Sequence, residues 1–101
     1  MPMTVVVTRD VEPRFRGFLA SVMLEIAPGV YTGPRMTKGV RERIWEVLAD
    51  WFGHLGGGCI VMTWRDPETP GGQAIRLLGE PPKTVVDVDG LLLVKRDLAA
   101  E

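Results

Sequence analysis

The sequence contains few of the residues on which enzyme active sites most often depend. Its 101 residues include one cysteine, one histidine and one serine, namely Cys59, His54 and Ser21. A single cysteine cannot form a disulfide within the chain, and these three residues lie in no pattern that predicts a zinc site or a Ser-His-Asp triad. The glycine-lysine motif of phosphate-binding loops and the glycine fingerprint of dinucleotide-binding domains are also absent. The sequence therefore argues against these classes of active site.

Long apolar runs and a strong net charge are missing as well. No apolar run approaches the roughly 18 residues that a membrane-spanning helix needs, and the net charge is −1. With 46% hydrophobic and 25% charged residues, the composition is typical of one soluble domain and not of a disordered tail. The first residues lead directly into a strand-like run, so we expect no signal peptide and no membrane contact. We expect a cytoplasmic protein, which the low cysteine content also fits.

The basic residues are concentrated in one part of the chain. Residues 9–43 hold seven basic and four acidic side chains, a net charge of +3, whereas the remaining residues carry a net charge of −4. A polyanion binds a local cationic surface and does not require a basic protein as a whole. Solvated helix ends would explain the same charges, so both interpretations stay open at this point.

The apolar pattern predicts an α+β domain with the ferredoxin-like βαββαβ arrangement over residues 1–80. Helical spacing of apolar residues runs from Phe15 to Ile26 and again from Val40 to Leu55, which predicts two amphipathic helices. The β-branched and alternating segments predict four strands, at residues 3–8, 30–32, 59–64 and 73–78. Two helices that cover one face of such a sheet form a two-layer sandwich.

A further β-rich segment, residues 81–101, remains after this domain. Two β-prone runs at 84–88 and 91–94 flank Asp89 and Gly90, a dipeptide typical of tight hairpin turns. Unpaired strands and open sheet edges tend to pair with another chain. We therefore expect a homodimer, and we expect this segment to serve dimer or partner docking.

One acidic residue is a candidate for chemistry on phosphodiesters. Asp10 follows the first predicted strand, at a position where open sheets commonly place functional groups. Its carboxylate is a candidate catalytic group and a candidate Mg²⁺ ligand, and two copies that meet near a dimer axis would supply two such carboxylates. A turn or helix-capping role for Asp10 is the alternative interpretation.

Two arginines at the start of the first predicted helix are candidates for binding a phosphate. Arg14 and Arg16 flank the apolar Phe15, and both guanidinium groups can reach a phosphate beside the positive end of the helix dipole. An ordinary solvated helix surface would also explain them. The fold alone further allows a regulator that binds a small ligand, although a fold by itself says little about activity.

Several segments resemble, in the same order and with similar spacing, the subtype I-E form of the CRISPR-associated protein 2 family. The matching segments are Met3–Thr8, Pro13–Gly17 with Leu19 and Ala20, Gly29–Gly33, Val40–Trp45 and Val86–Leu91. The resemblance implies a ferredoxin-like homodimer that acts in CRISPR adaptation, the acquisition and integration of new spacers. Such a dimer bridges dimers of the integrase, CRISPR-associated protein 1, and holds double-stranded DNA through contacts with its backbone.

The resemblance also implies roles for individual residues. The residues implied to bind DNA are Arg14, Arg16, Lys38 and Lys83. The residues implied to bind the integrase lie in the C-terminal β segment and are Val86, Leu91, Leu92, Leu93 and Val94.

The same family is credited with metal-dependent endonuclease activity, on RNA or DNA, at an acid just after the first strand. Here Arg9 stands where close relatives carry glutamate, and Asp10 follows it. A guanidinium group beside a metal site opposes the binding of a cation. We therefore expect a DNA-binding scaffold, with a magnesium-dependent endonuclease acting through Asp10 as the alternative.

Overall fold

The computed structural model of the protein describes residues 2–79 and 84–95, which form two α-helices and seven strands, besides a short 3-10 helix at Pro70–Gly72. In chain order, these elements are β1 (Thr4–Arg9), α1 (Pro13–Val22), β2 (Leu24–Ala27), β3 (Val30–Gly33), α2 (Lys38–Leu55), β4 (Cys59–Arg65), β5 (Gln73–Gly79), β6 (Thr84–Val88) and β7 (Leu91–Lys95). Neither of these helices has the length and apolar character that a membrane span requires.

The first five strands form one antiparallel sheet in the order β2-β3-β1-β4-β5. The chain therefore runs β1-α1-β2-β3-α2-β4 with β1 between β3 and β4, and β5 is added at the edge beside β4. This α+β topology is compatible with the ferredoxin-like arrangement predicted from the sequence. Strands β6 and β7 form a separate antiparallel hairpin.

The first helix is shorter than its apolar spacing predicts, and the prediction is wrong for residues 23–26. Helix α1 ends at Val22, and β2 follows and pairs with β3. Ile26 is 60% exposed, so its helical spacing does not reflect burial against the core. The Pro28-Gly29 pair turns this hairpin instead of ending a helix: Gly29 has a φ of 78°, and its carbonyl accepts the Thr8 N–H at 2.7 Å.

The second helix begins and ends where the sequence predicts. The Thr37 side chain caps α2 by accepting the Val40 N–H at 3.2 Å, and the helix ends at Leu55, before Gly56 with a φ of 62°. Both helices pack on one face of the sheet, because the apolar residues of that face and of the helices form a single core. Its fully buried members are Val6, Phe15, Leu19, Tyr31, Leu48, Ile60 and Met62.

The opposite face of the five-stranded sheet is covered by neither of the described helices. Residues directly opposite each other on neighbouring strands point to the same face, so the strand register gives two rows of side chains across this uncovered face. One row is Val30, Val7, Val61 and Leu77, and the other is Thr32, Val5, Thr63 and Ile75. Val7 is 39% exposed and Leu77 is 42% exposed. The uncovered face is therefore largely apolar, and it carries no aromatic platform for stacking bases.

Candidate nucleic-acid interface

The start of α1 is a cationic helix terminus without acidic side chains in its first turn. Proline occupies the first helical position, and the Glu12 side chain makes no capping hydrogen bond. The first backbone N–H groups of a helix have no partner within it, and the helix dipole makes this end positive. Arg14 and Arg16 lie in this first part of α1, and both are exposed. The arrangement is suited to an anion such as a phosphate.

Arg14 lies over an aromatic ring from the other helix. Its guanidinium carbon is 5.3 Å from the centre of the Trp51 ring, which is within the range of a cation–π interaction. The Trp51 ring is in turn contacted edge to face by Phe15, with ring centres 5.9 Å apart, and by Phe18, at 5.4 Å. Among the described side chains Arg14 has no ion pair, so its N–H groups remain available to a ligand.

Arg16 is held differently, by an acidic residue of the neighbouring hairpin. Its Nη2 lies 3.5 Å from Oε2 of Glu25, and the same oxygen accepts the Gly29 N–H at 3.0 Å. The Gly29 hydrogen bond, assisted by Tyr31 and Arg16, holds the pKa of Glu25 below its usual value. Tyr31 and Glu25 together raise the pKa of Arg16, while burial raises the pKa of the Tyr31 hydroxyl. Arg16 is therefore a fully charged group that already has an anionic partner.

Asp10 lies between two open clefts at the end of β1. The larger, of about 530 Å³, is also lined by Arg9 and Gly58, and the smaller, of about 260 Å³, is also lined by Arg16 and Gly29. Asp10 adopts a left-handed backbone with a φ of 55°, which aspartate tolerates better than most residues. At Gly58 the chain passes so close to the Asp10 backbone that a Cβ atom would clash with it. Asp10 and Arg16 thus share one cleft.

The residues around Asp10 do not form a metal site within one chain. Residues 2–79 and 84–95 contain no group of three His, Cys, Asp or Glu side chains that could hold a metal ion. Mg²⁺ prefers several oxygen ligands, whereas Asp10 is the one acidic residue that lines the larger cleft, which the basic Arg9 also lines. The magnesium and nuclease hypotheses for Asp10 therefore depend on ligands from a second copy or from the substrate.

Of the four residues implied to bind DNA, the three that the structure describes do not all lie together in one chain. Lys38 begins α2, whereas Arg14 lies over Trp51, thirteen residues further along the same helix. A helix rises about 1.5 Å per residue, so Lys38 and Trp51 are about 20 Å apart along the axis of α2. Lys83 lies outside the described residues. The structure thus groups Arg14, Arg16 and Asp10 at one end of the helical layer and places Lys38 at the other.

The residues implied to bind the integrase lie on the β6–β7 hairpin. Asp89 and Gly90 both have positive φ angles, 51° and 82°, as the two central residues of a type I′ turn require, which confirms the predicted hairpin. Leu91 is 63% exposed and Leu93 is 47% exposed, whereas Leu92 is half-buried and lines a cleft beside β5. The side chains of Val86 and Val94 lie outside the described part of the chain. The hairpin therefore carries apolar side chains that nothing in the described chain covers.

Two neighbours of the arginines were not predicted from the sequence. The apolar spacing predicts only that Trp51 lies in the second helix and Glu25 in the first, and it indicates no contact of either residue with Arg14 or Arg16. The antiparallel packing of α1 and α2 brings the start of one helix to the end of the other. A tryptophan near the end of α2 therefore indicates an aromatic contact for the arginines at the start of α1. For Glu25 the signal was an acid four residues before a glycine in a Pro-Gly turn.

A comparison with known protein families identifies the family of the chain. The model of the family described as CRISPR-associated protein (Cas_Cas2CT1978) matches residues 3–93. The match covers nine-tenths of the 101 residues and includes both helices, the whole five-stranded sheet, and β6 with most of β7. The chain therefore belongs to this family of CRISPR-associated proteins of the Cas2 type.

Proposed function

We propose that the protein is a dimeric DNA-binding scaffold of CRISPR adaptation, of the subtype I-E form, that holds duplex DNA through its phosphate backbone and bridges integrase dimers. The observation that carries this proposal is the pair of exposed arginines at the positive start of α1. Helix N–H groups and guanidinium groups bind phosphate oxygens without reading the base sequence. The interface therefore suits a protein that must accept DNA of many sequences.

The uncovered face of the sheet supports the dimer. Its two rows of valine, isoleucine, leucine and threonine side chains would be removed from water if the sheet of a second copy packed against it. A two-fold dimer would then present two copies of the Arg14 and Arg16 pair to one duplex, with both helical layers facing outward. A large exposed apolar face is uncommon in a monomeric soluble protein.

The exposed leucines of the β6–β7 hairpin support docking of the integrase on this segment. The proposal predicts that the integrase co-purifies with the full chain but not with a chain that lacks residues 84–101. Leu91→Ser and Leu93→Ser together should also weaken the complex without lowering the stability of the domain, because both side chains are exposed. Retention of the integrase by the truncated chain would contradict this assignment.

The DNA-binding role is tested by the salt dependence of binding to a random-sequence duplex. Each phosphate contact that is lost should reduce the slope of log K against log salt by roughly one, so Arg14→Ala with Arg16→Ala should reduce it by roughly two. Arg43→Ala with Arg65→Ala is the matched control, because it removes the same charge from two exposed arginines elsewhere. An unchanged slope in the first double variant, or an equal fall in both, would contradict the assigned interface.

A magnesium-dependent endonuclease acting through Asp10 is the second candidate. It is favoured by the left-handed backbone of Asp10, since uncommon backbone conformations often occur at functional sites. Arg16, which lines the same cleft, opposes the binding of a cation there. This function predicts cleavage of RNA or duplex DNA that EDTA stops and that Asp10→Asn abolishes. Asparagine has the same shape and tolerates the same backbone, so the variant should fold. Absence of cleavage by the unchanged protein in Mg²⁺ would exclude this candidate.

A further inference from the structure

The Arg14 guanidinium lies over the face of an aromatic ring, Trp51, whereas Arg16 lies beside the Glu25 carboxylate and the Tyr31 hydroxyl. We infer that Trp51 is a positioning residue for DNA binding: its ring holds the Arg14 guanidinium at the start of α1 so that the N–H groups meet a phosphate. This inference rests on the proposed DNA-binding function and adds a specific role within it.

The Trp51 ring is well fixed. Phe15 is fully buried and contacts it at an angle of 73°, and Phe18, one turn further along α1, contacts it at 68°. Arg14 and Phe18 are four residues apart in α1 and therefore lie on the same face of that helix. The ring is thus held by two phenylalanines of α1, and Arg14 of the same helix lies over it.

The contact restrains Arg14 without consuming its hydrogen-bond donors. A cation–π interaction places the charged group near the ring, whereas the N–H groups of a guanidinium point outward in its own plane. Arg16 differs, because Glu25 already lies opposite one of its N–H groups. An arginine loses much rotamer freedom when it binds, so restraint before binding favours affinity. Arg14 is therefore the better preorganised of the two arginines for binding a phosphate.

A purely structural role for the pair would give a different result in a double-mutant cycle. If Arg14 only shields the Trp51 ring from water, replacing Trp51 would affect folding but would not change how much Arg14 contributes to DNA binding. If Trp51 acts through Arg14, the effect of replacing it on DNA affinity should vanish once Arg14 is alanine. The cycle therefore separates the two roles.

The experiment measures binding of a random-sequence DNA duplex by the full chain and by Trp51→Leu, Arg14→Ala and the double variant. Trp51→Leu should weaken binding about two- to fivefold, the range expected for an exposed cation–π interaction. It should add nothing in the Arg14→Ala background. The salt slope should stay unchanged in Trp51→Leu, because the charge of Arg14 remains, and should fall in Arg14→Ala.

Two further variants keep the test independent of folding. Trp51→Phe retains an aromatic face and should retain most of the affinity even if Trp51→Leu proves unstable. Trp45→Leu is the matched control: Trp45 is also half-buried on α2, and Arg76 lies 5.9 Å from its ring centre. An equal loss of affinity from Trp51→Leu with and without Arg14, or no loss at all, would overturn the inference. A normal affinity and slope in Arg14→Ala would instead show that the assigned role of Arg14 in DNA binding is wrong.

Discussion

The Arg16 guanidinium lies 3.5 Å from the Glu25 carboxylate, and that carboxylate also accepts the Gly29 N–H of the β2–β3 turn. One of the two arginines proposed to bind DNA is therefore neutralised within the protein itself. The Arg16 side chain is 52% exposed, so solvent and salt weaken the attraction between the two charges. A phosphodiester group of DNA carries the same single negative charge as the Glu25 carboxylate and can therefore compete for Arg16.

Removing the charge of Glu25 should strengthen DNA binding. In Glu25→Gln the amide oxygen can still accept the Gly29 N–H, so the turn should persist while Arg16 is released. We expect binding of duplex DNA at low salt to tighten by up to about fivefold, because an exposed ion pair such as that of Arg16 and Glu25 is weak and its loss has a small effect. Glu46→Gln is the control, because it removes the charge of an exposed acid on a different element, α2. An equal gain in both variants would show an effect of net charge and not of Arg16.

Two glycines should respond to alanine in opposite directions. A Cβ added at Gly17 within α1 would meet no heavy atom within 4 Å, so Gly17→Ala should raise the free energy of unfolding by about 0.5–1 kcal/mol. At Gly29, with its φ of 78°, a Cβ would lie 2.8 Å from the Thr8 carbonyl oxygen, so Gly29→Ala should lower it by more than about 1 kcal/mol. Urea denaturation measures both. Destabilisation by Gly17→Ala would contradict the exposed position of that helix face.

The Arg76 and Glu42 pair should make the stability depend on pH in acid. Hydrogen bonding from Arg76 holds the pKa of Glu42 below its usual value of 4.5, against the opposing effect of burial. The folded pKa is thus lower than the unfolded pKa, so the stabilisation is present above about pH 4.5 and is lost as the pH falls through the lower, folded value. Since both side chains are about one-third exposed (33% and 34%), the contribution is at most about 1 kcal/mol.

Glu42→Gln tests this dependence. The variant should be less stable than the unchanged protein at neutral pH, and the difference should shrink in acid, once Glu42 is protonated in the folded as well as in the unfolded state. Denaturation curves at the two pH values measure the difference. Glu46→Gln again serves as the control and should show no such change. A difference that is equal at both pH values would mean that the pair does not respond to protonation.

Much of the fold followed from the sequence because local signals and tertiary packing agree there. Val40, Ile44 and Leu48 repeat at helical spacing, Thr37 caps their helix, and the glycines after Leu55 end it. The Asp89-Gly90 turn was equally clear, since few dipeptides suit two successive positive φ angles. In these segments one physical requirement determines the structure.

The segment after Val22 was not predictable in the same way. Met23 and Ile26 continue the helical spacing, yet pairing with β3 and the Gly29 turn against Thr8 outweigh helix propensity. Pairing between strands is a tertiary contact that local spacing does not reveal. The same limit applied to the site: the arginines could be identified along the chain, whereas Trp51 and Glu25 reach them only through packing of the elements.

The mass of the protein in solution, alone and with DNA, tests most directly whether paired copies present the arginines to a duplex. Sedimentation equilibrium of the unchanged protein should give twice the 11.1 kDa mass of the chain, with two chains bound to each duplex. Leu77→Asp, on the uncovered face, should give a folded single chain that binds DNA much more weakly although Arg14 and Arg16 remain intact. The dimeric scaffold would be contradicted if the unchanged protein sediments as a single chain and binds DNA no more tightly than the Leu77→Asp variant.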